Sequence, residues 1–263
     1  MSARRKALSI LCLTDPLAKA AQARALFHRL AELGDAAIDP AECLDAPAEL
    51  PGRPSRPRLL HAKEIPSRTP FTPEGRAAML HAVTHIEFNA INLALDAVWR
   101  FAGMPLAYYR DWLSVASEEA LHFTLLREHL CTLGHAYGDF DAHDGLWVMT
   151  QRTAHDVTAR MALVPRTLEA RGLDAAPPMQ AKLRKAGDHR AVEILDVILR
   201  DEVGHVAIGN HWYRWLCARD GHDPVALYAE LTVRYEAPRL RPPFNHAARR
   251  AAGFTDAELS LLT

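Results

Sequence analysis

The segments "SEEALH" at 117–122 and "DEVGH" at 201–205 decide the reading of this chain. Each lies in the middle of a long apolar stretch, the second within "AVEILDVILRDEVGHVAIGNHWYRWL" at 191–216. Residues i and i+3 share a helix face, so Glu119-x-x-His122 and Glu202-x-x-His205 each set a carboxylate beside an imidazole. The first pair interrupts a stripe of Trp112, Val115, Ala116, Phe123, Leu126 and Leu130. The second interrupts Leu195, Ile198, Gly209 and Trp212. An uncompensated charge on such a stripe costs several kcal/mol, so the pattern predicts a partner for each pair.

A glutamate one helix earlier supplies part of that partner. Glu87 lies 32 residues before Glu119, and Glu169 lies 33 before Glu202. Glu87 and Glu119 are each 16 residues from Gly103, the expected turn, so an antiparallel hairpin brings them to one level. Four long helical segments carry these residues. The first opens at Thr72-Pro73-Glu74, an N-cap followed by proline at the first helical position, and runs toward Gly103. The second spans Pro105 to Gly134. The third spans Leu146 to Arg171, stops at Gly172, and is continued by a shorter piece to Gly187. The fourth spans Asp188 to Arg219. Helices of this length joined by short loops predict an all-α protein built on an antiparallel four-helix bundle. Pro165 is expected to kink the third helix.

The bundle occupies 72–219 and is flanked on both sides. Residues 7–33 read as one or two helices with a start signal at Asp15-Pro16, and proline recurs from 39 to 72. Together, 1–71 form an N-terminal helical segment and a Pro/Arg-rich arm expected to lie extended across the bundle. In the C-terminal extension, 220–263, Asp223-Pro224 opens a short helix and Thr255-x-x-Glu258 forms a capping box.

The totals narrow the function classes. The chain has 263 residues, is 49% hydrophobic and carries a formal net charge of -1. That balance gives no general electrostatic argument for nucleic acid or an anionic membrane. The four cysteines are scattered without a C-x-x-C, which fits a reducing cytoplasm and argues against a cysteine zinc site. The apolar run after Arg4, Arg5 and Lys6 stops at Asp15-Pro16, so no signal peptide is expected. No run reaches the length of a membrane span.

Four carboxylates and two imidazoles suit two first-row transition ions, iron or manganese, better than calcium or thiolate-bound zinc. The alternative is two buried salt bridges with histidine partners, opposed by the mutual repulsion of the carboxylates. His85, two residues from Glu87, is expected to point elsewhere. His155 and Asp156 lie too far along the third helix to share a metal with Glu169. Tyr108 and Trp112 read as core.

The order E, ExxH, E, ExxH over roughly 72–219 resembles the ferritin-like di-metal carboxylate superfamily. Within it, "TPEGRAAMLHAVTHIEFNAINLALDAVWRF", "ARMALVPRTLEARGLD" and "ILRDEVGHVAIGNHW" look like a bacterial branch catalogued as a domain of unknown function. The resemblance implies that Glu87, Glu119, His122, Glu169, Glu202 and His205 are the ligands. It implies that Glu119 and Glu202 bridge two metals and that Glu87 and Glu169 are terminal. It further implies that Asp201 accepts a hydrogen bond from His122, and that Glu118 holds the equivalent place facing His205, fixing the imidazole tautomers.

The expected cofactor is a pair of iron ions, with manganese or a mixed pair as variants. The expected activity is a di-metal oxidase or oxygenase that uses O2 on a small or nucleotide-linked substrate. Ferroxidase or storage chemistry is the alternative, followed by a rubrerythrin-like peroxidase. The expected partners are O2, an organic substrate, an electron donor and a second copy of the chain. The basic arm (Arg53, Arg56, Arg58, Lys63, Arg68) keeps a nucleic-acid partner open, because the superfamily includes a tRNA-hydroxylating branch.

Overall fold

The computed structural model describes residues 1–47 and 49–262. The chain divides into two compact units, Met1–Trp147 and Val148–Thr263. The division falls inside the stretch expected to form the bundle, and each unit carries one of the two E…ExxH halves. Among the described residues, no helix is long and apolar enough to cross a membrane.

The N-terminal unit is built on a helical hairpin. Two helices come first, α1 (Ala3–Leu11) and α2 (Pro16–Leu33), the latter capped by the Asp15 side chain on the Ala18 N–H. Then follow α3 (Pro73–Arg100) and α4 (Leu106–Thr132), the arms of the hairpin. The Thr72 hydroxyl accepts the Gly75 N–H at 3.1 Å, and Pro73 occupies the first helical position, as the start signal implies. From Leu80 to Trp99 nearly every residue of α3 is buried, as expected of a helix surrounded by protein. Its C-terminal carbonyls are satisfied by a cation from α1. Arg4, fully buried, donates from Nε to Val98 O at 3.1 Å and from Nη2 to Trp99 O at 2.7 Å. Lys19 of α2, also buried, donates from Nζ to Asn92 Oδ1 and Gly52 O, both at 2.7 Å.

Those contacts tie the proline-rich arm to the hairpin. A Cβ at Gly52 would lie 2.1 Å from the Cys12 carbonyl oxygen, so only glycine permits the approach. Arg53 pairs with Asp144 at 2.7 Å, Arg58 with Asp141 at 2.8 Å and Arg68 with Glu74 at 3.5 Å. Three of the five basic groups that kept a nucleic-acid partner open therefore face carboxylates of their own unit. Leu59–Leu60 (β1) and Ala142–His143 (β2) form a parallel two-residue bridge at the same place.

The next helix, α5 (Gly145–Arg152), carries the chain into the C-terminal unit. There α6 (Val157–Leu163), a π-helical turn (Val164–Glu169) and α7 (Ala170–Lys185) pack against α8 (His189–Asp220). This corrects the expected third helix. The break falls at 153–156, where Thr153 Oγ1 folds back onto Met149 O at 2.8 Å and Asp156 caps the new helix through Ala159 N. Gly172, expected as the stop, lies inside α7, as do Pro177 and Pro178. The kink expected at Pro165 takes the form of the π-helical turn, consistent with a proline that has no N–H to give the ladder. Gly209 of α8 admits this turn, since a Cβ there would lie 2.5 Å from Pro165 Cβ. The remaining helices are α9 (Pro224–Arg234), α10 (His246–Ala251) and α11 (Asp256–Ser260), the last opened by the Thr255–Glu258 capping box. Phe254 and Leu259 close a small core with Ala170, Leu173, Val206 and Ala252.

Candidate metal centre

In the N-terminal unit, the hairpin sets Glu87 of α3 against Glu119 and His122 of α4. All three are buried. Glu87 Oε2 and Glu119 Oε2 each lie 3.3 Å from Nδ1 of His122, and the three residues' ligand atoms fall within 4.8 Å of one another. The shared level follows from the equal distance of Glu87 and Glu119 from the turn. The shared face of Glu119 and His122 follows from the i, i+3 spacing.

The electrostatics of this trio ask for a cation. Burial raises the Glu87 carboxyl well above its usual range, the Glu119 carboxylate raises it further, and His122 offsets part of the rise. Two buried carboxylates this close both ionise only where something balances their charge. A divalent ion among two carboxylate oxygens and one imidazole nitrogen would do so, and the donor set fits a first-row transition metal. The trio could therefore hold a metal ion.

Neighbouring histidines are engaged elsewhere. His85 Nδ1 lies 2.8 Å from the Tyr137 hydroxyl, and its Nε2 lies 3.0 Å from Asn89 Nδ2. His81 Nε2 accepts the Gly138 N–H at 2.8 Å. Burial lowers His81 to about 4 and His85 to about 3, so both rings are neutral near pH 7. Tyr137, which packs on Phe88, Phe123 and both histidines, was not found by sequence reasoning. Its signal was an aromatic inside the acidic loop "YGDF".

In the C-terminal unit, Glu202 and His205 of α8 are buried on one face, with His205 Nδ1 3.8 Å from Glu202 Oε1. Glu169, also buried, is the last residue of the π-helical turn. Glu202 packs over the start of α7, where a Cβ at Gly172 would lie 3.9 Å from its carboxyl carbon. The ligand atoms of Glu169, Glu202 and His205 do not gather as tightly as those of the N-terminal trio. Asp201 accepts from Arg200 Nε at 2.8 Å and Nη2 at 3.1 Å. Glu118 is half-buried on α4. His155 and Asp156 lie near the hydroxyl of Tyr235, at 3.2 and 3.3 Å. Tyr108 and Trp112 are core, as expected.

Comparison with known proteins places the chain in a family. Residues 12–260 match the model described as "Protein of unknown function (DUF455)", and the chain belongs to that family. A Haemophilus influenzae (strain ATCC 51907 / DSM 11121 / KW20 / Rd) protein, described as uncharacterized, is 54% identical over 213 residues. The match covers 78% of this chain and 74% of the relative. No solved structure matches.

Proposed function

We propose that Glu87, Glu119 and His122 of the N-terminal unit supply one carboxylate–imidazole metal position, and that Glu169, Glu202 and His205 of the C-terminal unit supply a second of the same kind. On this reading the protein is a ferritin-like oxidase or oxygenase acting on a small organic substrate. The observation that carries it is the gathering of the Glu87, Glu119 and His122 ligand atoms within 4.8 Å in a buried setting. The repeat of the same ExxH pair on α8 supports a second metal position. Bound there, a pair of iron or manganese ions would supply electrons for the reduction of O2.

The chain's own residues would hold and shield that pair. Glu87, Glu119, Glu169 and Glu202 would supply the carboxylate oxygens. His122 and His205 add a neutral nitrogen donor to each position. Phe88 and Phe123, buried with ring centroids 5.5 Å apart and adjacent in sequence to Glu87 and His122, keep water from the N-terminal position.

The test mixes anaerobic, ferrous-loaded protein with O2 and follows oxygen uptake, with and without small-molecule cell extract, beside Glu119→Ala. Uptake in the wild type that extract accelerates and the variant lacks is the expected result. No oxidation under any extract, with both metals bound, would overturn the redox reading. Continued oxidation of added Fe(II) to mineral would favour storage instead.

A further inference from the structure

The C-terminal unit contains a cavity of about 420 Å³ that the metal reading does not use. Its walls come from the π-helical turn, α9, the segment that follows α9, and α10–α11. The size lies within the range of small-molecule sites. Phe244, Phe254, Tyr228 and Leu240 give it an apolar lining. Two arginines in the same wall, Arg166 and Arg249, are 3% and 0% exposed.

Neither arginine is fully satisfied. Arg166 donates from Nη2 to Glu258 Oε1 at 2.7 Å and from Nη1 to Asn210 Oδ1 at 2.5 Å. Arg249 donates from Nε and Nη2 to Asp174 at 3.0 and 2.5 Å. Nε of Arg166 and Nη1 of Arg249 are buried with no hydrogen-bond partner among the described residues. Buried donors left unpaired are uncommon, and more costly on a charged group. The charge balance points the same way, because Glu258 is shared between Arg166 and Arg214, and Arg239 adds a further positive group to the lining. Both buried guanidinium groups stack on the one Phe254 ring, with Cζ 4.7 and 5.3 Å from its centroid.

We infer that this cavity binds a small organic anion, with a carboxylate or phosphate monoester head on Arg166 and Arg249 and an apolar body against Phe244, Phe254 and Tyr228. The inference stands without the metal centre, since no ligand of that centre lines the cavity. An anionic oxygen would accept the two spare N–H groups in charge-assisted bonds, and the aromatic walls would exclude water from them.

The test is titration calorimetry on the full chain with octanoate, hexyl phosphate and 1-octanol. Saturable binding of one anion per chain, at least about tenfold tighter than octanol, is expected, tenfold being about 1.4 kcal/mol. The tighter of the two anions names the head group. Thr232→Trp, on a half-exposed lining position of α9, adds bulk to the cavity while leaving both arginines in the sequence, and should weaken binding at least about tenfold. Arg249→Gln should do the same where circular dichroism shows it folded, and Thr232→Trp decides if it is not. Absence of anion binding at millimolar concentration, equal binding of octanol, or unchanged binding by Thr232→Trp would each overturn the inference.

Discussion

Glu87 and His122 meet across the α3–α4 hairpin, Oε2 to Nδ1 at 3.3 Å, with Glu119 at the same distance from the same nitrogen. Two carboxylates thus compete for one ring nitrogen, and Glu87 is raised by burial and by Glu119. In the metal-free protein, Glu87→Gln should relieve repulsion and leave the melting temperature unchanged or higher, while metal retention falls. A plain buried salt bridge makes the opposite forecast, a loss of about 3–5 kcal/mol on removing one partner. Thermal melts of chelator-treated wild type and variant separate the two.

His81 makes the fold acid-sensitive. Burial depresses its folded-state value to about 4, against 6.5 for a free imidazole. Between those limits the unfolded chain binds the extra proton. This stability is therefore complete above about pH 6.5 and drains away as pH falls toward 4. The expected slope is up to about 1.4 kcal/mol per pH unit from this one group. Urea midpoints from pH 7 to 4.5 should fall for the wild type and fall less steeply for His81→Asn.

Gly209→Ala probes the π-helical turn. The new methyl would sit 2.5 Å from Pro165 Cβ, on a ring that cannot rotate away. Overpacking costs about 1–3 kcal/mol, against a gain of up to about 1 kcal/mol in helix propensity. Net destabilisation is expected in chemical denaturation. A stabilised variant would show that Pro165 does not pack on α8 as described.

Gly52→Ala should release the arm. Its methyl would meet the Cys12 carbonyl oxygen at 2.1 Å, and backbone cannot yield as a flexible side chain does. Limited proteolysis should cut within 39–72 faster in the variant, with α3 and α4 left intact. Equal cleavage rates would contradict the tight approach of the arm to α1.

Much of this structure was legible in the sequence because local chemistry dictated it. Thr72-Pro73, Asp15-Pro16, Asp223-Pro224 and the Thr255–Glu258 box each start a helix where they stand. The i, i+3 spacing gave the pairing of Glu119 with His122, and equal distance from Gly103 gave that of Glu87 with Glu119. The third helix was misread because glycine was weighed as a stop, while the break at 153–156 depends on Thr153 and Asp156 bonding backbone groups of their own neighbourhood. The bonds of Arg4 to α3 and the pairing of Arg53 with Asp144 and of Arg58 with Asp141 were illegible. They join residues more than eighty positions apart by tertiary packing alone.

Metal content per chain tests the central claim most directly. Protein purified without chelator, loaded anaerobically with Fe(II) or Mn(II) and desalted, is analysed by mass spectrometry for all first-row metals, beside Glu119→Ala and Glu202→Ala. The account predicts about two ions per wild-type chain and a loss of at least one in each variant, with helical content unchanged. Fewer than one ion in the wild type, or two ions retained in both variants, would contradict it.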